Sequence, residues 1–324
     1  HKINRGFLFR RSERIDEFKK MRNQLSESLV SLANEFQNLI LLTGDHGYSL
    51  FDKYRELFPT QYLNCGVAEQ NMVGVAAGLA RSGFFPVVYG LSAFIPLRVI
   101  EQIKIDVCHD LLPVIFLGDG AGFVYSTLGT SHQSIEDIAA VRSIPNLDIY
   151  SPADKFEMKW ALNHAMSQKK TSYIRIGKSD IGNIHNQDLP SGFEKSVVKV
   201  REGVSDIIFL ATGSMVMTAI KVAEYFKEVS VYSVPRIKPF PENELIEIVS
   251  KKKAVVCLEE HSIYGGLGGT IAELLTTTIP LKMLRVGVND RFSDKCGSYQ
   301  FLLKEHKLDV SSILTQVRNF LETE

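Results

Sequence analysis

Short apolar runs alternate with helical patterns along this chain, and the alternation constrains its fold more than any other feature. The runs are rich in Val, Ile, Leu and Tyr, and several end in Gly, Asp or Pro, as strands do. In the first half, strands are predicted at 38–45, 85–90, 112–119, 147–152 and 172–177. Helices are predicted at 21–37, 68–82, 97–110, 134–143 and 154–168. Strands that alternate with helices form a mostly parallel sheet with helices on both faces.

A polar stretch at 177–195 interrupts this pattern, and its clustered Gly, Asn, Asp and Pro are typical of a linker. The pattern then restarts. Strands are predicted at 206–214, 229–235, 254–260 and 281–287, and helices at 215–227, 242–251, 266–277 and 311–322. We therefore predict an α/β chain of two doubly wound domains. These are an N-terminal extension at 1–19, a first domain at 20–180, a linker at 181–195 and a smaller second domain at 196–324.

The charge balance and the cysteines exclude several classes of protein. The 324 residues include 37 Lys and Arg against 37 Asp and Glu, so no general attraction to nucleic acid or an anionic membrane is expected. No apolar run reaches the roughly 18 residues of a membrane span. The four cysteines are far apart and form no CxxC pair. We expect reduced, buried thiols in a cytoplasmic protein, without a zinc site or other metal ligands of its own.

The stretch YLNCGVAEQNMVGVAAGLA (62–80) places Glu69 at the start of an apolar helix. A glutamate in a first helical turn is ordinarily explained by the helix dipole and the free amides there. The apolar residues that follow predict a buried helix, and a buried carboxylate is unfavourable unless it is paired. A carboxyl group that shares a proton with a ligand nitrogen is therefore the alternative interpretation.

Three further side chains lie where predicted strands end. His132 is in the loop that follows the 112–119 strand, and Arg175 and Lys178 end the 172–177 strand. In open α/β sheets, ligands bind beyond the carboxyl ends of strands. A loop histidine and solvated surface cations remain the alternatives. The GDG sequence at 118–120 is a weak signal for a diphosphate–magnesium loop, because no further oxygen ligand follows it.

Three segments resemble transketolases and 1-deoxyxylulose-5-phosphate synthases. They are CGVAEQNMVGVAAGLARSGFFPVVYG, GTSHQSIEDIAAVRSIPNLDIYSPADKFE and EEHSIYGGLGG. The resemblance runs in order from about residue 20 to the C-terminus and implies thiamine diphosphate as cofactor. It implies that Glu69 hydrogen-bonds a pyrimidine nitrogen of the cofactor and thereby activates it as an electron sink for attack on a ketose.

The resemblance assigns further residues to the cofactor. Phe94 in GLSAFIPLRVIEQ matches an aromatic residue that stacks on the pyrimidine, with Ile95 as the alternative if the register shifts by one. Arg98 matches a residue that lines the pocket. Asp45 in TGDHGYS lies where the family has an acidic residue close to the cofactor.

The resemblance also implies substrate contacts. His132 in TSHQ matches a histidine that contacts substrate hydroxyls, and Arg175 an arginine that binds the sugar phosphate, with Lys178 expected beside it. Arg22 in MRNQLSE matches a further arginine that contacts phosphate. The family usually has an Asp four residues before the histidine. Leu128 stands there, which puts ordinary pentose-phosphate substrates in question.

The resemblance does not extend to the domain that holds the diphosphate and Mg²⁺ in full-length transketolases. We therefore predict the C-terminal subunit of a split transketolase, active only with a separate N-terminal subunit that binds Mg²⁺. Two copies of each would form a heterotetramer that acts on sugars, and this chain would form a homodimer within it. The alternatives are the beta subunit of a 2-oxoacid dehydrogenase, an enzyme similar to 1-deoxyxylulose-5-phosphate synthase, and a non-catalytic scaffold.

Overall fold

The computed structural model describes residues 21–178, 180–190 and 196–322. The predicted N-terminal extension at 1–19 and the end of the predicted linker, at 191–195, lie outside these residues. No helix in the described ranges combines the length and apolar character that crossing a membrane requires.

Parallel strands form the sheet of the first domain. In chain order they are β1 (Leu39–Thr43), β2 (Tyr62–Asn64), β3 (Phe85–Leu91), β4 (Ile115–Asp119), β5 (Leu147–Tyr150) and β6 (Thr171–Ile176). They lie in the order β5-β6-β4-β3-β1-β2, and every neighbouring pair is parallel. β3 lies inside the sheet and all its residues are buried, as expected of a strand covered on both faces.

Helices cover both faces of this sheet. They are α1 (Met21–Glu35), α2 (Asp52–Leu57), α3 (Glu69–Arg81), α4 (Asp137–Arg142) and α5 (Lys155–Gln168). Leu39 and Leu41 of β1 belong to one hydrophobic cluster with buried residues of α1 and α5. Leu42 belongs to a second cluster with the buried face of α3. Because successive strand residues point to opposite faces, these helices lie on opposite sides of the sheet.

The helix predicted at 97–110 is irregular. A 3₁₀ turn (Leu97–Val99) and one α-helical turn (Ile100–Gln102) lead into a π-helical segment (Ile103–Cys108). Such departures from α-helical hydrogen bonding are frequent near functional sites. This segment follows Phe94 and includes Arg98.

The second domain has a smaller sheet. Its strands are β7 (Val198–Arg201), β8 (Ile207–Ala211), β9 (Ser230–Ser233), β11 (Ala254–Ser262) and β12 (Lys282–Val288), and between β9 and β11 lies β10 (Arg236–Lys238). The sheet order is β12-β11-β8-β9-β7, with only the β7–β9 pair antiparallel. The helices are α6 (Met215–Ala223), α7 (Glu242–Val249), α8 (Leu267–Thr277), α9 (Tyr299–Glu305) and α10 (Val310–Glu322). The two predicted α/β domains are thus confirmed.

Three expectations are corrected by the structure. β10 belongs to the second half of the chain but pairs antiparallel with β5, so it extends the first sheet to seven strands. Five short elements, β2, β7, β10, α2 and α9, were not predicted. Cys108 and Cys257 are buried as expected, whereas Cys296 is exposed.

A buried arginine of the first domain, paired with an aspartate of the same domain, links it to the second domain. Arg175, at the end of β6, donates through Nε to both carboxylate oxygens of Asp137, at 3.0 and 2.8 Å. Its Nη2 donates to the carbonyl oxygens of Ser134, at 3.2 Å, and of Glu260 on β11, at 2.7 Å. The side chain is 2% exposed. Arg175 therefore has an interdomain role instead of the accessible position expected of a phosphate ligand.

We expect Arg175→Ala to lower the free energy of unfolding by about 3–5 kcal/mol, because it leaves the Asp137 carboxylate buried and unpaired. Lys178→Ala is the matched control. Lys178 pairs with Asp180 at 3.0 Å close to the surface, where removing an ion pair costs at most about 1 kcal/mol. Urea unfolding of the two variants measures the difference. A loss for Arg175→Ala no larger than that of the control would contradict the stabilising contribution of the buried pair.

His261 lies beside this ion pair and is completely buried. Its Nδ1 donates to the carbonyl oxygen of Ser262 at 2.8 Å, and its Nε2 accepts the backbone N–H of Ala139 at 3.3 Å. Burial lowers the pKa of His261 to about 4, so the imidazole is neutral at physiological pH. Burial also raises the pKa of the neighbouring Glu259 to about 7.

The His261 shift predicts acid sensitivity. An ordinary histidine pKa is 6.5 and the folded-state value is about 4, so the unfolded chain takes up the proton first as the pH falls. Stability is therefore lost as the pH falls from 6.5 towards 4, by up to about 3 kcal/mol. Replacing His261 by Gln should remove this loss, while the opposite contribution of Glu259 remains in both proteins. Urea unfolding of both proteins between pH 4 and 8 tests this expectation. Between pH 7 and 8, where His261 is neutral in both states, their free energies of unfolding should differ by a constant amount. If the difference in free energy of unfolding stayed constant down to pH 4, the acid sensitivity would not come from His261.

Candidate functional site

Glu69 is the first residue of α3 and is 3% exposed. At this position its carboxylate lies among unpaired helix amides and at the positive end of the helix dipole. Oε2 accepts a hydrogen bond from Nη1 of Arg98 at 2.9 Å. Oε1 is buried and has no hydrogen-bond partner among the described residues. One oxygen of this buried carboxylate is therefore without a hydrogen bond from the described part of the chain.

Phe94 and His132 extend the site beyond Arg98. The guanidinium carbon of Arg98 lies 4.0 Å from the centroid of the Phe94 ring. The Phe94 and His132 rings meet edge to face, with centroids 5.5 Å apart. Glu69, Arg98, Phe94 and His132 thus form one continuous chain of contacts, although they come from three separate segments of the sequence.

The structure also distinguishes Phe94 from Ile95. Ile95 is completely buried in the core cluster that includes the buried face of α3. It packs so closely on Gly90 that a Cβ there would lie 2.7 Å from its Cδ1 atom. Phe94 is half-buried and is the one of the two that contacts Arg98 and His132.

Asp45 lies in the loop after β1 and is bound to the segment that leads into α3. Its Oδ1 accepts hydrogen bonds from Asn64 Nδ2 at 3.0 Å and from the Tyr48 hydroxyl at 3.1 Å. These two donors, Asn64 first, lower the pKa of Asp45. Asn64 Oδ1 in turn accepts the backbone N–H groups of Asp45 and Gly66. Reasoning from the sequence missed both donors. Asn64 is 19 residues from Asp45 and becomes its neighbour only in the folded sheet, whereas Tyr48 is three residues away and its contact depends on the conformation of the loop.

Arg22 and Lys178 line a cavity of about 380 Å³, together with Tyr48, Asp119, Tyr125 and Asp180. Arg22 lies 3.4 Å from the carboxylate of Asp119 and donates to the Tyr89 hydroxyl at 3.2 Å. Asp119 also accepts the hydroxyl groups of Tyr89 and Tyr125. The aspartate of the GDG sequence is therefore bound by protein groups, and the cavity brings two of the predicted substrate residues together.

These residues fit an aromatic heterocycle with a polar edge. Glu69 Oε1 is a buried acceptor without a donor among the described residues, and the half-buried Phe94 offers an aromatic surface that is linked to Glu69 through Arg98. An unsatisfied buried acceptor costs about 1–3 kcal/mol, which a ligand N–H would recover. Within the described ranges, no cluster of three or more His, Cys, Asp or Glu side chains could hold a metal ion. The described residues thus offer one unpaired buried acceptor, at Glu69, and one accessible aromatic surface, at Phe94.

Comparison with known proteins accounts for both domains. Residues 19–183 match the pyrimidine binding domain of transketolase, and residues 196–313 match the transketolase C-terminal domain. The two matches follow the chain in the same order as the two sheets of the structure.

Individual relatives match most of this chain. A putative transketolase C-terminal section from Methanocaldococcus jannaschii is 34% identical over 314 residues, 95% of this chain and 98% of that protein. One subunit of an apulose-4-phosphate transketolase from Actinobacillus succinogenes is 33% identical, and the match covers 79% of this chain and 84% of that subunit. A structure described as a split gene transketolase, inactive beta4 tetramer, superposes with a TM-score of 0.83 at 30% identity, over 93% of this chain and 98% of that one. This chain therefore belongs to the transketolase family and comprises its pyrimidine-binding and C-terminal domains.

Proposed function

We propose that this chain is the C-terminal subunit of a split, thiamine-diphosphate-dependent transketolase. With a separate N-terminal subunit it transfers a two-carbon ketol unit from a phosphorylated ketose to an aldose. The observation that carries the proposal is the buried Oε1 atom of Glu69, an acceptor with no partner among the described residues, beside Phe94 and Arg98. In this family, thiamine diphosphate supplies the electron sink for cleavage of a carbon–carbon bond.

Glu69 holds a proton at the ring edge of the cofactor. Arg98 binds Oε2 at 2.9 Å, a charge-assisted hydrogen bond that favours one orientation of the carboxylate and leaves Oε1 for the ligand. Burial at 3% exposure keeps water from competing for that oxygen. Phe94 provides an aromatic surface for the ring, and Arg98 keeps Phe94 in place through its contact at 4.0 Å.

His132 and the cavity around Arg22 would bind the sugar. The Nδ1 of His132 is hydrogen-bonded to the Ser131 hydroxyl at 2.9 Å, which orients the imidazole for contact with a substrate hydroxyl. Arg22 and Lys178 supply the cations that a sugar phosphate requires. A relative named for apulose-4-phosphate supports a phosphorylated substrate. The exposed Leu128, in the turn before His132, favours a sugar other than the ordinary pentose phosphates.

The partner subunit would hold the diphosphate and Mg²⁺. The described residues contain no cluster suited to a metal ion, so the charged end of the cofactor needs another protein surface. Val67 and Leu128, which precede Glu69 and His132 in the sequence, are apolar and exposed, as in a surface that another chain covers. The name of the structural relative, an inactive tetramer of one chain type, also supports a need for a second subunit.

We expect native mass spectrometry of the gently purified chain to reveal an assembly with two copies of this subunit, two copies of a different subunit and thiamine diphosphate. The physical reason is that the exposed apolar surface and the half-satisfied carboxylate of Glu69 both require another molecule. An assembly of this chain alone, without cofactor when a candidate N-terminal subunit is added, would favour the scaffold alternative.

In the reconstituted assembly, Glu69→Gln should reduce the rate of ketol transfer by about 10²–10⁴-fold, because the amide cannot hold or release the proton at Oε1. Glu101→Gln is the matched control, because Glu101 is an exposed glutamate in the same helical segment as Arg98. Both variants should keep the wild-type melting temperature within a few degrees. Turnover by Glu69→Gln at the rate of the control would remove Glu69 from the mechanism.

A further inference from the structure

The loop that carries His132 is held mainly through its neighbours. Thr130–His132 forms a single 3₁₀ turn, in which the His132 N–H bonds the Gly129 carbonyl at 3.0 Å. The imidazole itself contacts the exposed Ser131 and the half-buried Phe94. The next residue, Gln133, is 4% exposed and therefore buried at the base of the loop. Whatever holds Gln133 also limits where His132 can be.

A hydroxyl group of the second domain holds Gln133. The Ser293 hydroxyl donates to Gln133 Oε1 at 2.8 Å, and Ser293 Oγ lies 2.9 Å from Nε2 of His306. Because the single proton of the hydroxyl is given to Gln133, His306 must donate from Nε2. The order of donation is therefore His306 to Ser293 to Gln133. These two hydrogen bonds therefore connect the second domain to the loop of the first domain that carries His132.

His306, the first donor in this series of hydrogen bonds, is itself held firmly in place. It is 4% exposed and stacks on Phe123, with ring centroids 4.7 Å apart and an interplanar angle of 20°. Burial lowers the pKa of His306, which keeps the ring neutral, so that one nitrogen donates and the other carries no proton. Its Nδ1 is buried and has no partner among the described residues, which agrees with this tautomer.

A second contact joins the same two segments. Cys296, three residues after Ser293, packs on Gly129 at the start of the loop, where a Cβ would lie 3.1 Å from its Sγ. The loop is thus held by the second domain at both ends, through Gly129 and through Gln133.

We propose that Ser293 and His306 are positioning residues for His132. Through the hydrogen bonds from His306 to Ser293 and from Ser293 to Gln133, the C-terminal domain sets the position of the loop that binds the sugar. This gives the C-terminal domain a part in substrate recognition without any direct contact with the substrate. The inference rests on the proposed function only in so far as His132 is taken to bind the sugar.

Hydrogen–deuterium exchange on the reconstituted assembly tests the positioning without need of activity. Ser293→Ala should accelerate exchange in the segment 129–134 by about two- to tenfold, the effect of one lost hydrogen bond on local opening. Ser293→Thr, which keeps the hydroxyl, should restore wild-type exchange. The matched control is Ser230→Ala, which removes a buried serine hydroxyl bonded to the Gly203 carbonyl elsewhere in the same domain. Unchanged exchange in Ser293→Ala, or equal acceleration in the control, would overturn the inference.

Steady-state kinetics provide a second test of the positioning role of Ser293. Ser293→Ala should raise the KM for the ketose by about two- to tenfold and leave the affinity for thiamine diphosphate unchanged. In a His132→Ala background the same substitution should have no further effect on KM, because it acts through His132. Equal effects in both backgrounds would mean a merely structural role and would overturn the inference. A complete absence of ketol transfer in the wild-type assembly would refute the proposed function, and the exchange experiment would still decide the positioning.

Discussion

The buried pair of Asp137 and Arg175 is the interaction on which the arrangement of this molecule most depends. Both side chains are almost fully removed from water, so each charge is tolerable only because the other is present. The pair lies where β6 ends and α4 begins, and the same guanidinium binds the Glu260 carbonyl on β11. Through this bond the end of a first-sheet strand is linked to a strand of the second sheet. The same guanidinium binds the Ser134 carbonyl, at the end of the loop that carries His132.

The carboxylate of Glu69 is also buried, but it is only partly paired. There one carboxylate oxygen is bound by Arg98, and the other remains buried without a partner among the described residues. A glutamate that serves only to stabilise the start of a helix does not need to be buried, because the helix dipole also stabilises an exposed carboxylate there. An unsatisfied acceptor in the interior is explained most simply by a ligand that completes it. The two acids differ in this respect. Asp137 accepts hydrogen bonds from Ser92, Tyr173 and Arg175, whereas Oε1 of Glu69 has no partner among the described residues.

Much of the architecture was predictable from the sequence. The long strands and helices matched their hydrophobic periods, since a buried strand or an amphipathic helix of that length has a recognisable pattern. Glu69 was found because a carboxylate stands out in an apolar segment. Asn64, Ser293 and His306 could not be found in this way. Their roles depend on partners distant in sequence, and an isolated polar residue in a loop has no period.

The order of residues was enough to establish the two α/β domains, the apolar helix behind Glu69 and the family of the chain, because these depend on local periodicity and on contiguous motifs. Which polar groups meet became clear only in the folded molecule. Folding placed Arg175 inside the domain junction, Phe94 instead of Ile95 beside His132, and β10 at the edge of the first sheet. A charged side chain at the end of a strand looks the same in the sequence whether it faces solvent, a substrate or a buried carboxylate. The difference is set by desolvation and by the partner within hydrogen-bond reach, and both exist only once the chain has folded.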